Sequence, residues 1–86
     1  MSLSQGQRNI LNLIAEMSDR TTSTSVRDDA IIKRSGLPAD EVRNYLYLLE
    51  GLELITIDIK ASRADHRMVC MTKDGLEESS SEITED

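Results

Sequence analysis

Residues 31–50 read IIKRSGLPADEVRNYLYLLE, and the step Ser35-Gly36-Leu37-Pro38 inside them divides the end of one helix from the whole of another. Glycine enters the left-handed backbone region without steric penalty, so Gly36 suits the position just past a helix C-terminus. Proline has a fixed φ and no N–H to satisfy, so Pro38 suits the first turn of the next helix. Beyond it Val42, Leu46 and Leu49 recur at three- and four-residue spacing, with Tyr45 beside them. That is the buried stripe of a helix over about 38–50. Asp40 and Glu41 fall in its first turn, where the helix dipole favours acids, and Gly51 closes it.

Working outward, Ser25 is placed to cap the preceding helix, with Asp28 and Asp29 at its positive end. Val26, Ala30 and Ile31 supply its apolar contacts, with Ile32 alongside. Further upstream, Ser4 and Gln7 have capping-box spacing. Ile10, Leu11, Ile14 and Met17 follow as a helical stripe, with Leu13 beside it, so a first helix is expected over about 5–19. TTSTS (21–25) is poor in helix formers and reads as a loop or short extended segment. Downstream the period changes. In LITIDIK (54–60), Ile55, Ile57 and Ile59 alternate with Thr56, Asp58 and Lys60, a strand pattern. A turn is expected around Ala61–Asp65, and RMVCMT (67–72) is the natural antiparallel partner. Thr72-Lys73-Asp74-Gly75 ends that strand. A short or frayed fourth helix begins near Leu76, and the acidic segment 78–86 is expected to be disordered.

Composition narrows the function classes. The 86 residues suffice for one small domain, taken as 1–77 ahead of the acidic tail. The formal charge is −6, but residues 77–86 (EESSSEITED) carry five acids and no base, leaving a net −1 over residues 1–76. Against that near-neutral body, KASRADHR (60–67) gathers Lys60, Arg63, His66 and Arg67 around a single acid, Asp65. With no Trp or Phe and only Tyr45 and Tyr47, stacking on single-stranded bases lacks its platforms. The lone Cys70 excludes an internal disulfide and a multi-cysteine zinc site, and it reads as a small buried hydrophobe in a reducing, cytoplasmic setting. His66 reads as a solvent-facing partner of Asp65 rather than a metal ligand. There is no Gly-rich phosphate loop and no sheltered nucleophile–base set, so an enzyme is not expected, nor is a cofactor or metal. No apolar run reaches the length of a membrane span.

Helix, helix, tight turn, helix and β-hairpin, in that order, resemble the winged helix-turn-helix domain of bacterial and archaeal transcription regulators. Three stretches carry the likeness: IIKRSGLPADEVRNYLYLLE as the helix-turn-helix, LELI (52–55) as the junction into the first strand, and MTKDGLE (71–77) as a T-x-x-G step out of the wing. The resemblance implies an α+β, mainly α fold, with a three-helix core, a C-terminal β-hairpin wing and a short fourth helix. The family usually has Gly before the last Leu-Ile of the junction. Here that position is Glu53, so Gly51 is expected to supply the flexibility.

With Val42, Leu46 and Leu49 inward, the outward set of the third helix is Ala39, Asp40, Arg43, Asn44 and Tyr47. Arg43 has the paired donors that suit guanine, and Asn44 suits adenine. The resemblance puts both where such regulators place base-reading residues. Tyr47, Lys33 and Arg34 suit phosphates, although Lys33 and Arg34 equally complement a helix C-terminus. Lys60, Arg63, His66 and Arg67 would lie at a wing that leans on the DNA backbone or minor groove. The expected function is therefore sequence-specific double-stranded DNA binding and transcription regulation, as a homodimer. The alternative is a winged-helix module that docks other proteins without touching DNA, which the neutral body, acidic tail and acidic helix start would also suit.

Overall fold

A computed structural model describes residues 3–63 and 66–81, with residues 59–63, 66, 80 and 81 described by their backbone alone. The elements are α1 (Gln5–Met17), β1 (Val26–Arg27), α2 (Asp28–Ser35), α3 (Ala39–Gly51), β2 (Ile55–Arg63), β3 (His66–Met71) and α4 (Lys73–Ser81). Three helices pack on a small antiparallel sheet ordered β1-β3-β2, which is the winged helix-turn-helix arrangement. The side-chain expectations for Lys60, Arg63 and His66, the pairing of His66 with Asp65, and disorder over 82–86 lie outside the described residues.

The stripes read from the sequence form the core. Ile10, Leu11 and Ile14 of α1, Ile31 of α2, and Val42, Leu46 and Leu49 of α3 are all buried, and they close on Val26, Ile55, Val69 and Met71 of the sheet. The α1 capping box is complete: the Ser4 hydroxyl accepts from the Gln7 amide at 3.1 Å, and the Gln7 side chain accepts from the Ser4 amide at 2.9 Å. The helix stops at Met17, two residues before the expected end. Asp19 turns left-handed at φ +59°, and the Asp19 and Arg20 amides reach back to the carbonyls of Glu16 and Ala15. Gly36 takes the left-handed position after α2 at φ +72°, as read from the sequence. Tyr45 packs against Gly6 of α1, where any side chain would overlap its ring.

The second helix starts later than expected. Val26 and Arg27 are not helical; they pair with Val69 and Met68 as a third strand. Ser25 therefore does not cap α2, whose N-cap is Arg27, a residue with no side-chain capping bond to the open amides. Val26 is buried whether it sits on a helix or under a sheet, so its hydrophobicity alone did not separate the two. In the hairpin, Ile55↔Met71 and Ile57↔Val69 face the helices, while Thr56↔Cys70 and Asp58↔Met68 face away. Cys70 is thus half-buried on the outer face rather than in the core, with its Sγ 3.2 Å from the Ser25 hydroxyl. The register then shifts, because Asp58 pairs with Met68 but Arg63 pairs with His66. Residues 59–62 of β2 stand opposite the single residue Arg67, a bulge. Residues 61–63 belong to the strand rather than to the expected turn.

The exit from α3 corrects the reading of Gly51. Gly51 is an ordinary helical residue, and the left-handed step falls on Glu53 at φ +63°. The Leu54 amide reaches the Leu49 carbonyl at 3.0 Å and the Glu53 amide reaches the Glu50 carbonyl at 2.9 Å, a Schellman closure that normally carries glycine. Thr72 ties this turn to α4. Its hydroxyl donates to the Glu53 carbonyl at 2.8 Å and accepts from the Gly75 amide at 2.9 Å, and its own amide donates to the Leu54 carbonyl at 3.2 Å. Gly75 presses so close to the Leu54 carbonyl that a Cβ there would overlap it. Those contacts are the physical content of T-x-x-G. The helix it starts runs through Ser81, so residues 78–81 are helical and not part of a disordered tail. Arg8 of α1 pairs with Glu78 at 3.1 Å, Arg20 donates to the Ser79 hydroxyl at 3.4 Å, and Ser79 is buried.

Two substitutions test this exit. Glu53→Gly removes roughly 1–2 kcal/mol of left-handed strain against about 0.5–1 kcal/mol of extra chain entropy. Thermal unfolding should therefore show a Tm raised by a few degrees. Gly75→Ala should lower stability by about 1–3 kcal/mol, the usual range for overpacking, and an unchanged Tm would refute the close approach.

Candidate nucleic-acid interface

On α3, positions 40, 43, 44 and 47 fall opposite or beside the buried stripe, and Asp40, Arg43, Asn44 and Tyr47 are all exposed. Ala39 is half-buried at the edge of that face. Among the described residues, Tyr47 and its neighbour Leu48 are the large apolar side chains that stand out, at 52% and 51% exposure. Lys33 and Arg34 are exposed at the end of α2. Arg34 leans back toward α1, with an Nη 3.6 Å from the Glu16 carboxylate. Arg67 is exposed on β3 and shares the helix-facing side of the sheet with Val69 and Met71 by alternation.

What brings these elements together is Asp28, the first residue of α2. Its side chain is only 2% exposed. One carboxylate oxygen accepts from the Arg67 backbone amide at 3.1 Å, and the other lies 3.7 Å from Nε of Arg43, whose side chain is 45% exposed. The outward face of α3 and the root of the hairpin therefore meet at one buried carboxylate. Beside it Arg27 of β1 makes a two-pronged contact with Asp29, at 3.1 and 2.8 Å. Sequence reading placed Asp28 as a helix-dipole acid and gave Arg27 no role. Its one usable signal was an aspartate at a helix start. The partners from α3 and β3 come only from the tertiary fold.

A cleft of about 430 Å³ lies by the α3 exit among Glu50, Glu53, Thr72, Lys73 and Asp74, and another of about 420 Å³ lies between α1 and the α2–α3 turn. Among the described residues, none of the candidates lines either cleft. The charge of the α3 face is mixed, with the exposed acids Asp40 and Glu50 on the same side as Arg43 and Glu41 exposed on the other. Among the described residues, no helix is long and apolar enough to cross a membrane and no cluster of His, Cys, Asp or Glu is arranged to hold a metal.

No protein-family model matches the chain, and no curated protein does. Solved structures do share its fold. MepR of S. aureus in complex with DNA superposes with a TM-score of 0.77 at 17% identity, over 95% of this chain and 63% of that one. ZitR of Lactococcus lactis, a zinc-responsive MarR family member, gives 0.75 at 15% identity, over 98% and 54%. A protein of Ralstonia eutropha JMP134 with a provisional DNA-binding designation gives 0.75 at 20% identity, over 93% and 96%. The chain thus spans between half and two thirds of MepR and ZitR, and nearly all of the Ralstonia protein.

The Arg34–Glu16 pair is exposed on both sides, where such contacts contribute little. Arg34→Ala should leave stability within about 0.5 kcal/mol of the parent in denaturant unfolding. Any loss of ligand binding in that variant then reports on the surface and not on the fold.

Proposed function

We propose that this winged helix-turn-helix chain binds double-stranded DNA with sequence preference and regulates transcription in the cytoplasm as a homodimer. In this reading α3 enters the major groove and the 60–67 ribbon rests on the flanking backbone or minor groove. The observation that carries it is the Asp28 junction, which holds the exposed face of α3 against the root of a cation-rich hairpin. A recognition helix and a flanking basic ribbon on one side of a molecule are what a duplex requires. MepR, which shares the fold, is seen bound to DNA, and that supports the reading.

The roles divide by chemistry. Arg43, whose contact with Asp28 runs through Nε, keeps its terminal nitrogens to donate to a guanine edge. Asn44 has the donor and acceptor for adenine, and Ala39 is small enough to admit close approach of a base. Tyr47, Lys33 and Arg34 contact phosphates, as do Lys60, Arg63, His66 and Arg67 of the wing. Phosphate contacts fix position and base contacts fix sequence, so the two sets respond differently to mutation.

Selection from a random duplex pool followed by a salt titration tests this. Arg43→Ala should cost about 1–3 kcal/mol on the selected duplex and relax the preference at one base. Arg63→Ala should weaken all duplexes alike and reduce the slope of log K against log salt by about one. Neutralising Glu82, Glu85 and Asp86 together should strengthen binding at low salt. Glu78 is left in place because it pairs with Arg8. If neither the native chain nor the neutralised one is retained on duplex DNA at low salt, the protein-docking alternative replaces this reading.

A further inference from the structure

We propose that Asp28 is a positioning residue that sets base discrimination, resting on the DNA-binding reading above. A carboxylate at 2% exposure is costly unless donors surround it. Three sources of positive potential face Asp28: the N-terminal dipole of its own helix, the Arg67 amide, and the Arg43 guanidinium. Only the first is local. The other two come from the helix that would read bases and from the ribbon that would hold the backbone.

This geometry has two effects of opposite sign on DNA. An arginine on a flexible side chain loses freedom when it docks on a base; drawn toward Asp28 by an ion pair at 3.7 Å, Arg43 has lost part of it beforehand. That favours the matched base. The same carboxylate places a negative charge beside the phosphate path and partly neutralises Arg43. That disfavours DNA of any sequence. Asp28 therefore trades general affinity for discrimination, and it keeps the ribbon in register with α3 through the Arg67 amide.

The test is Asp28→Asn in the full chain. The side-chain oxygen of asparagine still accepts from the Arg67 amide, while the charge facing Arg43 is gone. The selected duplex and a scrambled duplex are titrated in parallel. The expected result is a fall of about tenfold in the ratio of selected to scrambled affinity, with scrambled binding stronger than in the native chain. In an Arg43→Ala background the same substitution should leave the ratio unchanged, because its effect acts through Arg43. In the DNA-free protein, the Nε–H resonance of Arg43 should move to the exposed-arginine position in Asp28→Asn, while the Arg67 amide stays protected. A parallel loss on both duplexes that follows a drop in Tm would assign Asp28 a structural role only and overturn the proposal. So would an unchanged ratio. If the native chain binds no duplex, the DNA reading itself falls; native binding with an unchanged ratio sinks this inference alone.

Discussion

A carboxylate withdrawn from water is the constraint on which this molecule's geometry turns. Apolar burial drives the helices together, but it is non-directional and leaves their mutual angle loosely determined. Asp28 adds direction. Its two oxygens face α3 and β3, and its backbone starts α2. An error in the placement of any of the three elements would strand a buried charge. The second strongly directional point is Thr72, which fastens the turn after α3 to the start of α4 through one hydroxyl that donates and accepts. Between them, the two points pin each end of the sheet to the helices.

Much of this fold was legible from hydrophobic spacing. Val42, Leu46 and Leu49 are buried as their spacing required, and Gly36 and the Ser4–Gln7 box do what their types suggest. What was not legible depended on residues far apart in the chain. Val26 fits a helical stripe and a strand equally well, and only its pairing with Val69 decides between them. Cys70 sits in an apolar run, yet the strand's alternation puts it on the outer face, opposite Thr56. Glu53 is the instructive error. The left-handed residue is set by where the Schellman bonds fall, and those bonds follow the helix end rather than the nearest glycine.

The candidate site divides in the same way. Arg43, Asn44 and Tyr47 were readable as exposed because they fall between the buried positions of one helix. The Arg34 contact with Glu16 and the Arg43 contact with Asp28 join different helices, and no local pattern announces them. The fourth helix was underestimated for a related reason. Its run of serines predicts fraying, but Arg8 of α1 and Arg20 of the turn after it reach across to Glu78 and Ser79 and hold it. Tertiary contacts here override weak propensity.

The bulge opposite Arg67 has a consequence for how this architecture varies. Below it, the pairs Ile55↔Met71 and Ile57↔Val69 hold the strands in a register that a one-residue slip would invert, turning apolar side chains into solvent. Above it, that requirement no longer applies, since the ladder has already broken step. Residues gained or lost at 59–62 would lengthen or shorten the ribbon's reach while leaving the inner pairs undisturbed. The span of the arm and the integrity of the body are thereby separate quantities, and related chains are free to change one without the other.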